Sequence, residues 1–254
     1  MLKEQIEDNI VIATFEKGKN NSLDVETLQS IKALLKKADE DPSVKGIVFT
    51  GAGRTFCSGF DLPLFLSFKD HPEVIKFFTE VEDIFIDLFM CKKPVVAAIN
   101  GAAVAGGLIL SMACDYRIIK NHPKIKVGMS EIKIGLGLSV VQTEIMKFGL
   151  DGNRKFRDVM YFGQLHDVAK AREMELVDEV VEEAELMTRA KQVVSSWADN
   201  PGGAFKMLKT SFRTPTADLM RKRLKEENWQ EGFKCFFDPA TRKTLEMVSA
   251  MMGQ

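Results

Sequence analysis

Glu131 is the carboxylate best placed for chemistry in this 254-residue chain. It stands in residues 126–141 (KVGMSEIKIGLGLSVV), twenty-five positions after Gly106 of the stretch GAAVAGG at 101–107. Val127, Met129, Ile132, Ile134 and Leu136 surround it, so it can lie beside an apolar cleft, where burial raises a carboxyl toward neutrality and suits it to act as base and then conjugate acid. With Lys133 two residues on, the same glutamate also fits a solvated surface pair worth little. The helix expected after the glycines carries Ile109 and Leu110 where a second acid could have stood. One carboxylate rather than two points to a proton moved along a substrate, not to water added across it.

Two glycine-bearing stretches could face that acid. Residues 54–62 (RTFCSGFDL) contain Ser58, Gly59, Phe60, Asp61 and Leu62 after an expected strand. In the second, Gly106 and Gly107 open a helix, whose first N–H groups lack internal partners and suit an anionic oxygen. An N–H from the loop at Gly59 and Phe60 would complete an oxyanion hole, each donor worth about 3 kcal/mol in the transition state. Tight helix–strand packing accounts for such glycines equally well. Neither GxGxxG nor GxxxxGK[ST] is present, which argues against a nucleotide phosphate cradle.

Other reactive residue types carry less. His71, His122 and His166 are far apart and form no HxxxH or HExxH pattern. Cys57 has no histidine beside it and reads as a packed thiol. Asp61 reads as a local cap. Glu144 is expected to face solvent. Arg221, Lys222 and Arg223, with Lys206, Lys209 and Lys225, read as a solvated basic face that could also meet ligand phosphates.

The elements that must position these residues alternate in type. Residues 10–15 form a β-type run. Leu28, Ile31, Leu34, Leu35 and Ala38 then recur at helical spacing, capped by Asn21 or Ser22 and stopped at Asp41-Pro42. A buried strand follows over 44–50. A long helix carries Val74, Phe77, Phe78, Val81, Ile84, Phe85 and Leu88 on one stripe. Further strands are expected over 94–99, 116–119 and 125–128, with a helix from Gly106. This is an α/β architecture with largely parallel strands. Pro201-Gly202-Gly203 marks a boundary, giving a core over 1–200 and a helical region over 201–254. That region is short for a core of its own and should pack on the main body or on another subunit.

Composition removes several classes. The net charge of −1 gives no field for nucleic acid, and no run approaches the ~20 apolar residues of a membrane helix. The beginning, MLKEQIEDNIVIATF, does not resemble a targeting segment. Four cysteines without CxxC spacing fit a reduced, cytoplasmic protein without structural zinc.

The segments FCSGFDL (56–62), KPVVAAINGAAVAGG (93–107) and CDYRI (114–118), in this order, resemble the crotonase superfamily of enoyl-CoA hydratases and isomerases, over most of residues 5–200. The resemblance implies a crotonase-like spiral of ββα units with a C-terminal helical trimerisation region, assembling as a homotrimer or hexamer. It implies an acyl-CoA thioester substrate, bound around Ser58, Gly59, Phe60, Asp61, Leu62 and Gly106, with the thioester oxygen held by the Phe60 and Gly106 N–H groups. No metal or redox cofactor is implied, since CoA arrives as part of the substrate. Of the two glutamates of the family's hydratases, the first maps to Ile109 and the second to Glu131. The single acid, and LGLSVVQ (136–142) in place of an IPGxGG stretch, is similar to the Δ3,Δ2-enoyl-CoA isomerases of mitochondrial type. Hydration, other thioester chemistry on the same fold, and acyl-CoA binding without catalysis stand as alternatives.

Overall fold

The computed structural model describes residues 1–253. Strands β1 (Leu2–Glu7) and β2 (Ile10–Phe15) form an antiparallel hairpin, and α1 (Val25–Glu40) crosses to β3 (Gly46–Gly51), parallel to β2. After β4 (Thr55–Cys57) come the short α2 (Leu62–Ser67), the long α3 (His71–Met90) and the buried β5 (Val95–Ile99). Then β6 (Ala102–Val104) runs into α4 (Gly106–Ala113), followed by β7 (Tyr116–Lys120) and β8 (Val127–Gly128). Beyond a 3-10 turn at Glu131–Ile134 lie α5 (Val140–Gly149), α6 (Asn153–Phe162), β9 (Leu165–His166), α7 (Val168–Glu173), β10 (Glu179–Val181) and α8 (Leu186–Ala198). The C-terminal part holds α9 (Ala204–Glu226), a 3-10 segment Trp229–Phe237 and α10 (Pro239–Met252).

The strands make two sheets. A six-stranded sheet has the order β1-β2-β3-β5-β7-β10, parallel apart from the first hairpin, and a four-stranded sheet has the order β4-β6-β8-β9. The pairs β3–β4, β5–β6 and β7–β8 each give one strand to each sheet, and β4, β6 and β8 run parallel, so the turns that follow them gather at one end of the smaller sheet. Those turns carry Phe60, Gly106 and Glu131.

The helices form where their apolar stripes predict. The stripe of α1 is buried and so is that of α3, whose Phe77, Phe78 and Phe85 join the main core. Each such side chain contributes roughly 1.5–3 kcal/mol on burial. The N-cap of α1 is Asp24, not Asn21 or Ser22: its carboxylate accepts from the Thr27 N–H at 2.9 Å. The Asn21 amide instead donates to the Ala52 and Thr55 carbonyls and ties the loop before α1 to β4.

The C-terminal helices lie on the body of the same chain. A 3-10 turn at Pro201–Gly203 separates α8 from α9, and α9 runs unbroken through Pro215. It is anchored by a buried ionic cluster rather than by a solvated basic face. The Lys209 ammonium lies 2.7 Å and the Arg213 guanidinium 3.0 Å from opposite oxygens of Asp115. Arg213 also donates to the Phe89, Ala113 and Cys114 carbonyls. Glu144, expected at the surface, is buried in α5 and accepts from Arg223 at 2.5 Å and Lys147 at 3.1 Å. Arg223 is further held by Glu227, which leaves this guanidinium engaged with carboxylates.

Candidate active site

The loop after β4 is fixed by parallel bridging to the segment before α1. Leu23 donates to the Gly59 carbonyl at 2.8 Å, and Asp61 donates to the Leu23 carbonyl at 3.1 Å. This alternation turns the Phe60 N–H to the opposite side, where no acceptor among the described residues takes it. Gly59 has φ +96°, a conformation that L side chains rarely adopt, and a Cβ there would lie 2.9 Å from the Gly106 nitrogen. A Cβ on Gly106 would meet the Phe60 ring at 3.0 Å. The two loops therefore touch, with the Phe60 and Gly106 amides next to each other. The Gly106 N–H, at the start of α4, is likewise without an acceptor among the described residues.

Ala105, the residue before α4, has φ +56° and ψ −130° and is held there by its N–H bond to the Gly128 carbonyl at 3.0 Å. A non-glycine residue in this region stores about 1–3 kcal/mol of strain. Here that strain fixes the direction in which the first turn of α4 presents its amides.

Glu131 opens the 3-10 turn after β8 and is buried. The Ser130 N–H donates to its Oε2 at 2.9 Å. Left-handed Gly135 closes the turn, its N–H donating to the Ile132 carbonyl. Burial pushes the Glu131 carboxyl up to about 7, and the backbone hydrogen bonds offset this only in part. The solvated pairing with Lys133 is not what the structure holds: Glu131 lines a cavity of about 280 Å3 together with Ser58, Phe60, Leu62, Val104, Ala105 and Ser130. Aromatic and aliphatic side chains from α2, α3 and the C-terminal region complete the wall: Phe65, Phe78, Phe236, Val248 and Met252. The acid and the Phe60 loop thus face one largely apolar space.

The remaining sequence candidates divide. Ser58 and Leu62 line the cavity, and the Ser58 hydroxyl is buried without a partner. Gly59 is buried within the loop and does not line the cavity. Asp61 caps α2, accepting from the Leu64 N–H and the Ser22 hydroxyl at 3.0 Å each, and does not line the cavity. Ile109 is buried in α4 and brings no polar group to the site. Cys57 is buried, and desolvation pushes its thiol up to about 12, so it is not a nucleophile at neutral pH. His71 opens α3, its Nε2 lying 2.8 Å from the Gln230 carbonyl, far in the chain from the acid.

Sequence reasoning missed two residues near this centre. Gln142 forms a capping box with Ser139 at the start of α5 and lines the cavity, its Nε2 having no partner. Glu82 of α3 is buried behind that box, where its carboxylate accepts from the Val141 N–H at 2.7 Å. Burial pushes Glu82 up to about 7 as well, but it does not line the cavity. The S-x-x-Q spacing could have signalled the cap. Nothing in the sequence could have signalled Glu82, whose partners lie on another element.

The chain matches the family model described as Enoyl-CoA hydratase/isomerase over residues 5–248. It belongs to the enoyl-CoA hydratase/isomerase family. Among its relatives, the mitochondrial enoyl-CoA delta isomerase 1 of Mus musculus is 28% identical over 235 residues, covering 92% of this chain and 80% of that protein. A putative enoyl-CoA hydratase of Thermus thermophilus is 27% identical over 209 residues, covering 81% of each. The crystal structure of human mitochondrial delta3-delta2-enoyl-CoA isomerase superposes with a TM-score of 0.90 at 23% identity, over 99% of this chain and 98% of that one. These likenesses fix the crotonase fold expected from the motifs.

Proposed function

We propose that this protein is a Δ3,Δ2-enoyl-CoA isomerase. The observation that carries the reading is a single buried carboxyl, Glu131, lining the same apolar cavity as Phe60, while Ile109 fills the helix position where a second acid would stand. The isomerase named among the relatives supports it.

The thioester oxygen of a 3-enoyl-CoA accepts from the Phe60 and Gly106 N–H groups. Ionised Glu131 removes a proton from the α carbon. The electron pair moves into the thioester, giving a dienolate whose oxygen rests on the two amides. The new glutamic acid returns the proton to the γ carbon, the electrons shift back, and the double bond becomes conjugated with the carbonyl. A carboxyl held at about 7 suits both halves, because it gains and loses a proton at similar cost. Phe60, Ala105 and the apolar wall exclude water, which strengthens the amide–oxygen attraction.

CoA enters as part of the thioester, and the chemistry calls on no further cofactor. The expected assembly is a homotrimer or a dimer of trimers, and the exposed Met207, Leu208 and Phe212 on α9 support association of copies of the chain. Light scattering after size exclusion measures it.

Incubation with 3-enoyl-CoA and, separately, 2-enoyl-CoA tests the activity. Conversion of the first to the 2-trans product, with no 3-hydroxyacyl-CoA from the second, is expected. Hydration of the second without isomerisation of the first would assign the hydratase reaction instead. CoA binding without turnover of either would leave a binding protein.

A further inference from the structure

The cavity that Glu131 lines has an inner and an outer end. Gly137 and Leu165 at its rim are exposed, whereas Phe65, Phe78 and Phe236 are buried. The three rings come from α2, α3 and the 3-10 segment Trp229–Phe237, and they pack edge to face or tilted: Phe236 stands 5.0 Å from Phe65 and 5.7 Å from Phe78 by ring centroids. Phe78 is in turn stacked on Phe233 at 4.2 Å. No ring of this set can swing aside alone without opening a void in a close-packed cluster.

We propose that Phe236 sets the acyl-chain length of the substrate by closing the inner end of the cavity. Phe65 and Phe78 also touch the Phe60 ring, at 5.6 and 5.9 Å, so changes there reach the oxyanion-hole loop. Phe236 has no ring contact with Phe60 and can define the length without moving the hole. A chain that runs from the reacting carbons beside Glu131 to the inner end meets the Phe236 ring. Val248 of α10 lines the same cavity from another side and offers the opposite change.

The proposal names the substrate class of the site assigned above, so its test is built to stand without turnover. Binding of saturated acyl-CoAs of rising length is measured by calorimetry on the wild type, Phe236→Leu and Val248→Phe, each checked for cooperative unfolding. Wild-type affinity is expected to climb about fourfold per added methylene and then break once the chain reaches the Phe236 ring. Phe236→Leu is expected to move the break to longer chains and Val248→Phe to shorter ones. Unbroken climb through long chains in the wild type, or an unmoved break in both folded variants, overturns the assignment. Should no 3-enoyl-CoA of any length be turned over while the break is present, the isomerase reading fails and the length assignment stands.

Discussion

Gly59 and Gly106 press against each other so closely that a side chain on the first would lie 2.9 Å from the nitrogen of the second. This contact, between residues 47 positions apart in the chain, makes a pair out of two amides that belong to separate ββα units. Gly106→Ala would place a methyl 3.0 Å from the Phe60 ring, which is held by Phe65, Phe77 and Phe78 and cannot retreat. Removing one oxyanion donor costs about 100- to 1,000-fold in kcat. We expect displacement of one in Gly106→Ala to cost about tenfold to 100-fold, with cooperative thermal unfolding retained. Steady-state kinetics beside a melting curve checks it.

The pH dependence follows from Glu131. Its ionised form is the base, and burial holds the carboxyl at about 7. The kcat/KM of the isomerisation should therefore rise with pH, reach half its maximum near 7, and level off above it. Glu82 also stands at about 7 but lies outside the cavity. The same rising limb should persist in Glu82→Gln. Its disappearance in that variant would move the titration to Glu82.

Stability should respond with the opposite sign. Both carboxyls are raised above the ordinary glutamate value of 4.5, so between about 4.5 and about 7 the folded protein holds protons that the unfolded chain has released. Their stabilising contribution is complete below the unfolded value and is lost as pH rises through about 7. Glu82→Gln is neutral at every pH, so relative to wild type it should be more stable at pH about 8 than at about 5, by on the order of 3 kcal/mol at most. Urea unfolding at the two pH values measures the difference.

The cluster at Asp115 anchors the C-terminal region. Lys209→Met removes one of two cations from a buried carboxylate and leaves the Lys93 carbonyl without its donor. Breaking a buried ionic group in this way costs about 3–5 kcal/mol, with Arg213 still in place to reduce the loss toward the lower figure. Equilibrium denaturation gives the number. Activity of the folded fraction should change little, since neither residue lines the cavity.

The parts of the fold that were legible in the sequence are those governed by local periodicity. The stripe from Leu28 to Ala38 and that from Val74 to Leu88 each became a helix with those residues buried. The runs over 10–15, 44–50, 94–99 and 116–119 became β2, β3, β5 and β7 of the larger sheet, whereas its outer strands β1 and β10 carried no such reading. Residues whose environment is set across the chain were misread. Glu144 looks like a surface charge because its partner, Arg223, lies 79 positions away, and Lys209 looks solvated because Asp115 lies 94 positions away. Glu131 was suggested by its apolar neighbours, but its burial depends on a cavity whose walls include Phe236, Val248 and Met252, and no spacing rule reaches those residues from position 131. The adjacency of Gly59 and Gly106 was suggested by the motif resemblance, not by spacing.

The most direct test of a single proton-transferring carboxyl is Glu131→Gln. The substitution keeps the size of the side chain and a carbonyl oxygen for the Ser130 N–H, and removes only the base. Turnover of 3-enoyl-CoA should fall by at least about 1,000-fold, with the Kd for a saturated acyl-CoA within about threefold of wild type. Turnover within tenfold of wild type, at matched binding, would contradict the account.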